Sequence, residues 1–233
     1  MRTSWNKGHT RFTHPSLAKI SATMKSRGLD NFKKWRDQMK KEGKIKSSYP
    51  ALKKNGDLAE LIGVILGDGN IYLFPRTECL RIVGNFKNKG FATRYANLIK
   101  NVFGKTPRVS KRKSSNATDI VIYEKYLSKR LGIPSGTRAK SNIKIPLWIK
   151  TNQNFSIRYL RGLYEAEGSL CFHQKTYTHK FLFSNRNASM LKNVFQLVTM
   201  LGFHPHTSVN QVQISRKEEV QKLKNLLKFR SYS

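Results

Sequence analysis

Two stretches of the chain read alike: Asp57 to Gly69 is DLAELIGVILGDG, and Ser156 to Gly168 is SIRYLRGLYEAEG. Each contains a leucine, a pair of small residues four positions apart, and then a carboxylate followed by glycine. The matching residues are Leu61, Gly63, Gly67, Asp68 and Gly69 in the first stretch and Leu160, Gly162, Ala166, Glu167 and Gly168 in the second. A chain that repeats such a pattern once is expected to contain two related halves.

The sequence after each stretch also corresponds. Apolar periodicity predicts two strands, a helix, two more strands and a final helix in both halves. We therefore expect an α+β fold with two pseudo-symmetric subdomains of order αββαββα, each containing an antiparallel sheet. The expected boundaries are 1–49 for a basic N-terminal extension, 50–133 for the first subdomain, 134–154 for a linker and 155–233 for the second subdomain.

The first stretch has the character of a deeply buried helix. From Leu61 to Gly67 it is apolar on every side, which predicts burial all round. Asp57 followed three residues later by Glu60 is typical of a capping box at a helix start. The small pairs of both stretches lie on one helix face, where they let two backbones approach closely. We expect the two helices to pack on each other about a pseudo-twofold axis.

The repeated carboxylates fall where a helix disfavours them. Asp68 and Glu167 lie in the last helical turn, which already carries partial negative charge, and each precedes a glycine that stops the helix. Bringing the two together raises the pKa of at least one. A divalent cation resolves this repulsion, because Mg²⁺ accepts one or two carboxylates with backbone carbonyls, water and phosphate oxygens. We predict a site for Mg²⁺, with Mn²⁺ as a substitute, formed by Asp68, Glu167 and the carbonyl oxygens of Gly67 and Ala166.

The charge of the chain indicates its partner. Lys and Arg number 45 against 13 Asp and Glu, a formal net charge of +32, which favours a polyanion. Hydrophobic residues make up 38% of the chain, enough for a core, so disorder is disfavoured. No apolar run could span a bilayer, and the N-terminus lacks a secretory signal. We expect a nucleic-acid-binding protein with no membrane partner, located in the cytoplasm, the nucleoid or an organelle and not secreted.

Other kinds of metal or nuclease site are disfavoured. Cys79 and Cys171 have no C-x-x-C companion and indicate unpaired thiols. The histidines are scattered without a nearby cysteine pair, so a zinc site is not expected. No His-Asn-His or GIY-YIG set stands at a plausible spacing. Two metal-binding carboxylates on a basic scaffold instead predict hydrolysis of a phosphodiester.

Residues 61–69, LIGVILGDG, and 160–168, LRGLYEAEG, resemble the two motifs of a LAGLIDADG homing endonuclease of the monomeric, double-motif type. The resemblance covers roughly residues 57–233. It implies that the two motif acids hold the metal and that each half places a curved, saddle-shaped sheet on double-stranded DNA. It further implies cleavage of both strands of a long, nearly asymmetric site to leave 3′ overhangs, by an enzyme of the intron-encoded class. The sequence departs from the motif at Leu66, where an acid is usual; Glu165 fills that position in the second copy.

The resemblance also implies further catalytic residues. Asn85 and Asn185 occupy what the sequence makes equivalent strand ends, where polar residues of the family order water beside the metal. A strand-to-turn asparagine is an equally ordinary interpretation of both. Lys144, which precedes Ile145 and Pro146, resembles the basic residue expected near the centre of the site.

Strand alternation predicts the surface that reads DNA, because successive side chains point to opposite faces of a sheet. Polar side chains on the faces away from the core are expected in the major groove. The predicted DNA-binding residues are Asn70, Tyr72, Arg76, Arg81, Lys87, Arg108, Lys111, Arg112 and Lys113 in the first half and His173, Lys175, Lys180 and Arg186 in the second.

Alternatives remain open at the level of sequence. The N-terminal segment made of Asn6–Thr10 and Ser16–Ser21 resembles a small nuclease-associated DNA-binding module, or is a basic extension that orders on DNA. An RNA-binding intron maturase and a non-catalytic DNA-binding regulator are the rivals to a site-specific endonuclease. Intron RNA is the partner in the first case. Retention of both motif acids favours catalysis, because a binder gains nothing from two anions facing phosphates.

Overall fold

The computed structural model describes residues 4–174 and 177–232, apart from the side chain of His173. The chain divides into two compact units, one ending at Tyr49 and one starting at Pro50. The first unit contains α1 (Pro15–Ser26) and α2 (Lys33–Lys41), and neither helix has a buried residue. Within the described ranges, no helix is both long and apolar enough to cross a membrane.

The second unit contains the same series of elements twice, so the predicted α+β fold of two pseudo-symmetric αββαββα subdomains is confirmed. The first series is α3 (Gly56–Asp68), β1 (Gly69–Phe74), β2 (Thr77–Asn85), α4 (Lys89–Phe103), β3 (Arg108–Lys111), β4 (Ala117–Glu124) and α5 (Leu127–Leu131). A short helix, α6 (Leu147–Lys150), lies between the halves. The second series is α7 (Gln153–Glu167), β5 (Gly168–His173), β6 (Thr178–Ser184), α8 (Ala188–Met200), β7 (His206–Ser208), β8 (Gln211–Ile214) and α9 (Lys217–Leu226).

The two sheets share one topology and one register. The strand orders are β1-β2-β4-β3 and β5-β6-β8-β7, antiparallel throughout. Ile82 pairs with Gly69 on one side and with Ile120 on the other. Phe183 pairs in the same way with Gly168 and with Val212. Each position in one sheet therefore has a defined equivalent in the other.

Within the second unit, helices cover one face of each sheet. Cross-strand partners share a face, and the covered faces carry fully buried apolar side chains packed against the helices. These are Ile71, Leu80, Ile82, Ile120 and Ile122 in the first sheet and Phe181, Phe183, Val212 and Ile214 in the second. We call the opposite faces the open faces.

The two motif helices, α3 and α7, form the centre of the second unit. Leu61, Val64 and Ile65 are completely buried, as the all-round apolar pattern predicts. A Cβ on Gly63 would overlap the carbonyl oxygen of Tyr159, and one on Gly162 would overlap that of Glu60. The helix backbones are therefore in direct contact, which only glycine permits at these positions.

The predicted capping box at the start of α3 is wrong. The N-cap is Asn55, whose Oδ1 accepts a hydrogen bond from the Leu58 N–H at 2.9 Å. Asp57 lies in the first turn and accepts from Arg158 at 2.6 Å. Glu60 is fully buried and accepts from Arg158 at 2.5 Å and from Arg94 at 2.5 Å. The carboxylates of the expected box instead join the two halves through Arg158.

Candidate active site

The ends of α3 and α7 bring Asp68 and Glu167 together. Both helices end at these acids. A Cβ on Gly67 would overlap the methyl group of Ala166 and lie 3.1 Å from Cγ of Glu167. Close packing of the helices up to their last turn therefore places the two carboxylates side by side.

The electrostatics of the pair match the predicted repulsion. Burial, followed by repulsion from Glu167, raises the pKa of Asp68 to about 7. Burial also raises the pKa of Glu167 above its usual value. Without a counter-ion, a proton near neutral pH relieves the conflict between these two groups.

The glycines after the two acids act differently from ordinary helix stops. Gly69 has φ −96° and Gly168 has φ −85°, so neither is in the left-handed conformation of a C-terminal glycine. A Cβ on Gly69 would lie 2.7 Å from the carbonyl oxygen of Ile65, and one on Gly168 would overlap that of Tyr164. Glycine at these positions lets each chain pass directly from helix to strand against the helix backbone.

An arginine contacts the end of each motif helix. Nη2 of Arg138 donates to the carbonyl oxygens of Ile65, at 2.9 Å, and Gly69. Arg230 donates to the equivalent carbonyl of Gly168 at 3.3 Å. These bonds satisfy carbonyls that the helix end and the first strand residue expose.

Arg138 also belongs to the cavity beside the acids. This cavity of about 190 Å³ is lined by Arg138, Glu167 and Asn185 among others. Nη1 of Arg138 is buried and has no hydrogen-bond partner within the described part of the chain. Burial lowers the pKa of the guanidinium from its usual value. Arg138 therefore lines the same cavity as Glu167 and has an Nη1 with no partner among the described residues.

The two predicted asparagines are not equivalent. By the strand register, Asn185 corresponds to Gly84, whereas Asn85 is one position further along. Nδ2 of Asn185 lies 3.4 Å from Oε1 of Glu167. Both asparagines have the ordinary role of a turn asparagine: Asn85, which is exposed, accepts from the Lys87 N–H at 2.9 Å, and Asn185 accepts from the Asn187 N–H at 2.8 Å. Because a shift of one residue reverses the face of a strand, only Asn185 is turned towards the acids.

Lys144 is not brought to the carboxylate pair. Its side chain is exposed and lines a separate cavity together with Leu66 and Ile133. Glu165, at the second motif's extra acidic position, is buried and accepts from the backbone N–H of Arg230 at 2.6 Å and the hydroxyl of Tyr232 at 2.6 Å. That acid positions the C-terminal segment.

The predicted DNA-binding residues divide by position. Asn70, Tyr72, Arg81, Arg108 and Lys180 occupy open-face positions in the two registers, while Arg112 follows β3 and pairs with Asp119, an open-face residue. Lys111 has the parity of the covered face and lies over the Phe86 ring at 4.1 Å. The turns and loops hold Arg76, Lys87, Lys113 and Arg186. Lys175 and the side chain of His173 lie outside the described residues.

Several residues near the site were not predicted from the sequence. Arg138 and Arg230 stand in loops that carry no motif, and only the fold shows that they reach the helix ends. Gln211 and Gln213 also lie on an open face; their alternation with Val212 and Ile214 was the available signal. In the described parts of the chain, no three His, Cys, Asp or Glu residues form a group that could hold a metal. The acidic donors at the site are therefore the two motif carboxylates.

Proteins similar to this chain were found among solved structures. No protein-family profile and no curated protein matches the chain. The homing endonuclease I-DmoI, as a single-substitution variant in complex with its target DNA in the presence of Mg, is 16% identical over 74% of this chain and 95% of that one, with a TM-score of 0.51. The chain has the LAGLIDADG fold. Mesophilic variants of I-DmoI are 18% identical over 74% of this chain and 94% of theirs, with a TM-score of 0.50.

A third solved structure, described as a LAGLIDADG domain, is also similar to this chain. The N-terminal LAGLIDADG domain of DUF199/WhiA is 15% identical over 74% of this chain and 80% of that one, with a TM-score of 0.51. The predicted resemblance in fold is confirmed by all three structures. Because one fold can carry several functions, activity must be argued from the site itself.

Proposed function

We propose that this chain is a site-specific DNA endonuclease that makes a metal-dependent staggered double-strand break, leaving 3′ overhangs, at a long and nearly asymmetric target. One observation carries the proposal. The glycine-mediated contact of α3 and α7 places Asp68 beside Glu167, although the chain has only 13 acidic residues and a net charge of +32. Such an arrangement costs stability unless a cation occupies the site.

The residues present fit a divalent metal ion. The donor set consists of two carboxylates, the nearby carbonyls of Gly67 and Ala166, and room for water and phosphate oxygens, which suits Mg²⁺ or Mn²⁺. Burial and repulsion from Glu167 raise the pKa of Asp68, and a bound cation would offset both effects. When bound, the metal would supply Lewis-acid stabilisation of the phosphate charge and a more acidic water.

The chain's own residues would orient the reacting groups. Asn185, 3.4 Å from Glu167, is placed to hold a water molecule beside that acid. Arg138 lines the same cavity, and we propose that its buried Nη1 donates to a phosphate oxygen when DNA is bound. Desolvation strengthens such a charge-assisted hydrogen bond. Arg138 replaces Lys144 as the proposed central basic residue.

DNA binding rests on the two open faces. Their positions on either side of one central helix pair suit a duplex that crosses both sheets, with the acids at its midpoint. One chain then supplies both halves of the interface, so we propose that the protein acts as a monomer. I-DmoI, which shares the fold, is described in complex with its target DNA.

A cleavage selection tests the proposal. The full chain is incubated with a randomised duplex library in Mg²⁺, and linearised molecules are recovered and sequenced; a parallel reaction in Ca²⁺ reports binding without cutting. We expect one long family of sites, cut in Mg²⁺. Recovery of bound but uncut DNA in Mg²⁺ and Mn²⁺ would favour a non-catalytic regulator, and splicing of a bound intron RNA would favour a maturase.

Competition between a proton and the metal predicts a pH dependence. Asp68 must be ionised to bind metal, and its pKa of about 7 leaves it mostly neutral below that pH. The Mg²⁺ concentration that gives half-maximal cleavage should therefore fall about tenfold from pH 6 to pH 8, with about fivefold of that fall below pH 7, and change little above pH 8. Single-turnover cleavage over a Mg²⁺ series at each pH measures it. A half-saturating concentration that is constant from pH 6 to 8 contradicts the assignment.

Replacement of Arg138 tests its proposed phosphate contact. Arg138→Met should slow single-turnover cleavage by about 10²-fold, the usual loss of one aimed donor to developing charge, and Arg138→Lys should recover part of it. The matched control is Arg230→Met, which removes the equivalent bond to Gly168, and we expect its loss to stay below about tenfold. Equal losses in the two methionine variants would show that Arg138 acts only by supporting a helix end.

A further inference from the structure

The registers of the two sheets allow their open faces to be compared position by position. Arg81 is equivalent to Leu182, and Arg108 to His206. Asp119 and Val121 are equivalent to Gln211 and Gln213. Arg81, Arg108 and Asp119 therefore correspond to leucine, histidine and glutamine in the second sheet, whereas Lys180 of the second sheet corresponds to Cys79 of the first.

The first open face presents oriented guanidinium groups. Arg112 donates to Asp119 through Nη2 at 2.7 Å and through Nε at 2.9 Å, which leaves its remaining donors directed away from the carboxylate. Arg81 lies over the ring of Tyr72 at 5.3 Å. Arg108 lies on the edge strand β3 and pairs with Val121 of β4. Contacts of this kind hold an arginine in one direction and reduce the entropy lost on binding.

The second open face presents a network of amides and hydroxyls. Nε2 of Gln213 donates to Oγ of Ser208 at 2.6 Å and to Oε1 of Gln211 at 3.2 Å. Nε2 of His206 lies 3.2 Å from Oε1 of the same Gln213. Among the described strand residues of this face, Lys180 is the one lysine or arginine, and it pairs with Cys171. The network uses both N–H groups of Gln213 but only the carbonyl oxygen of Gln211, so Gln213 pairs with a base by exchanging one of these partners. Both glutamines are partly accessible.

These two chemistries recognise different bases in the major groove. A guanidinium pairs with N7 and O6 of guanine, whereas a glutamine amide pairs with N6 and N7 of adenine. We propose that the two halves of the target differ in composition: the first sheet selects G·C pairs and the second selects A·T pairs. The proposal rests on the proposed function only in requiring that both open faces lie on one DNA duplex.

The test is a binding selection from the randomised duplex library with the full chain in Ca²⁺, followed by Mg²⁺ cleavage of the selected duplexes. The expected site has a G·C-rich half and an A·T-rich half. Absence of any enriched sequence, or equal composition of the two halves, overturns the inference. Selected duplexes with the expected asymmetry that are not cut in Mg²⁺ or Mn²⁺ support the inference and overturn the proposed nuclease.

Two variants test which half of the DNA target each sheet recognises. Arg81→Leu introduces the residue found at the equivalent position 182, and Gln213→Val the one found at 121, so both are compatible with this fold. Arg81→Leu should relax preference at positions of the G·C-rich half by about 5- to 100-fold, and Gln213→Val at the A·T-rich half by a similar factor. Arg216→Leu and Gln221→Val, which lie off both sheets, are the controls and should leave the selected site unchanged. A change in the opposite half, or in neither half, contradicts the assignment.

Discussion

Asp68→Asn and Glu167→Gln should each abolish double-strand cleavage while leaving DNA binding equal or tighter. Each change removes one carboxylate from the proposed metal site, and loss of several kcal/mol of transition-state stabilisation corresponds to a rate lower by about 10³-fold or more. Binding survives because the substitution removes an anion that faces the phosphates. Single-turnover cleavage in Mg²⁺ and a binding titration in Ca²⁺, on the selected duplex, measure the two effects separately.

Glu218→Gln is the matched control for these variants. Its side chain lies on α9 and is 85% exposed, so both cleavage and binding should equal those of the unchanged protein. Wild-type cleavage of both strands by either the Asp68 or the Glu167 variant would show that the metal site has been assigned to the wrong residues. Loss of binding together with cleavage would indicate a folding defect, which a melting curve of the same sample detects.

Gly162→Ala should destabilise the protein, although alanine is the better helix former. Alanine in place of glycine inside a helix ordinarily stabilises by about 1 kcal/mol. Here the new methyl group would overlap the carbonyl oxygen of Glu60 and force α3 and α7 apart. We expect the free energy of unfolding to fall by about 3 kcal/mol, a decrease in Tm of roughly 10 °C for a unit of this size.

The sign of the change in the free energy of unfolding tests whether the helix backbones are in contact. Asn97→Ala, at an exposed position of α4, is the control and should raise stability by a few tenths of a kcal/mol. A Gly162→Ala protein that is more stable than the unchanged one would disprove the close contact. The same variant should also cut more slowly, because separation of the helices moves Asp68 away from Glu167.

The sequence predicts the fold so fully because its informative features are local and repeated. The buried helix, its small pair and its final acid are each visible within thirteen residues and occur twice. Packing of α3 on α7 then follows, since a helix that is apolar on every side has to be covered on every side. The positions of Asp68 and Glu167 follow from the same packing.

What the sequence hides depends on contacts between distant segments. Asn85 and Asn185 look alike in the sequence, yet a difference of one residue in register turns one outward and the other towards Glu167. Arg138 reaches the end of α3 from a loop about seventy residues away, and no periodicity predicts such an approach. Asp57 and Glu60 fit a capping box, but Asn55 caps the helix and Arg158 recruits both acids.

The central claim is that one pair of carboxylates cuts both strands of a DNA duplex with a divalent metal. Mapping the product ends at nucleotide resolution, with the selected duplex labelled on each strand in turn, tests it most directly. The account predicts one cut in each strand, offset to leave 3′ overhangs, with both cuts present in Mg²⁺ and absent in EDTA. Cuts that persist in EDTA, or an intact duplex in both Mg²⁺ and Mn²⁺, would contradict it.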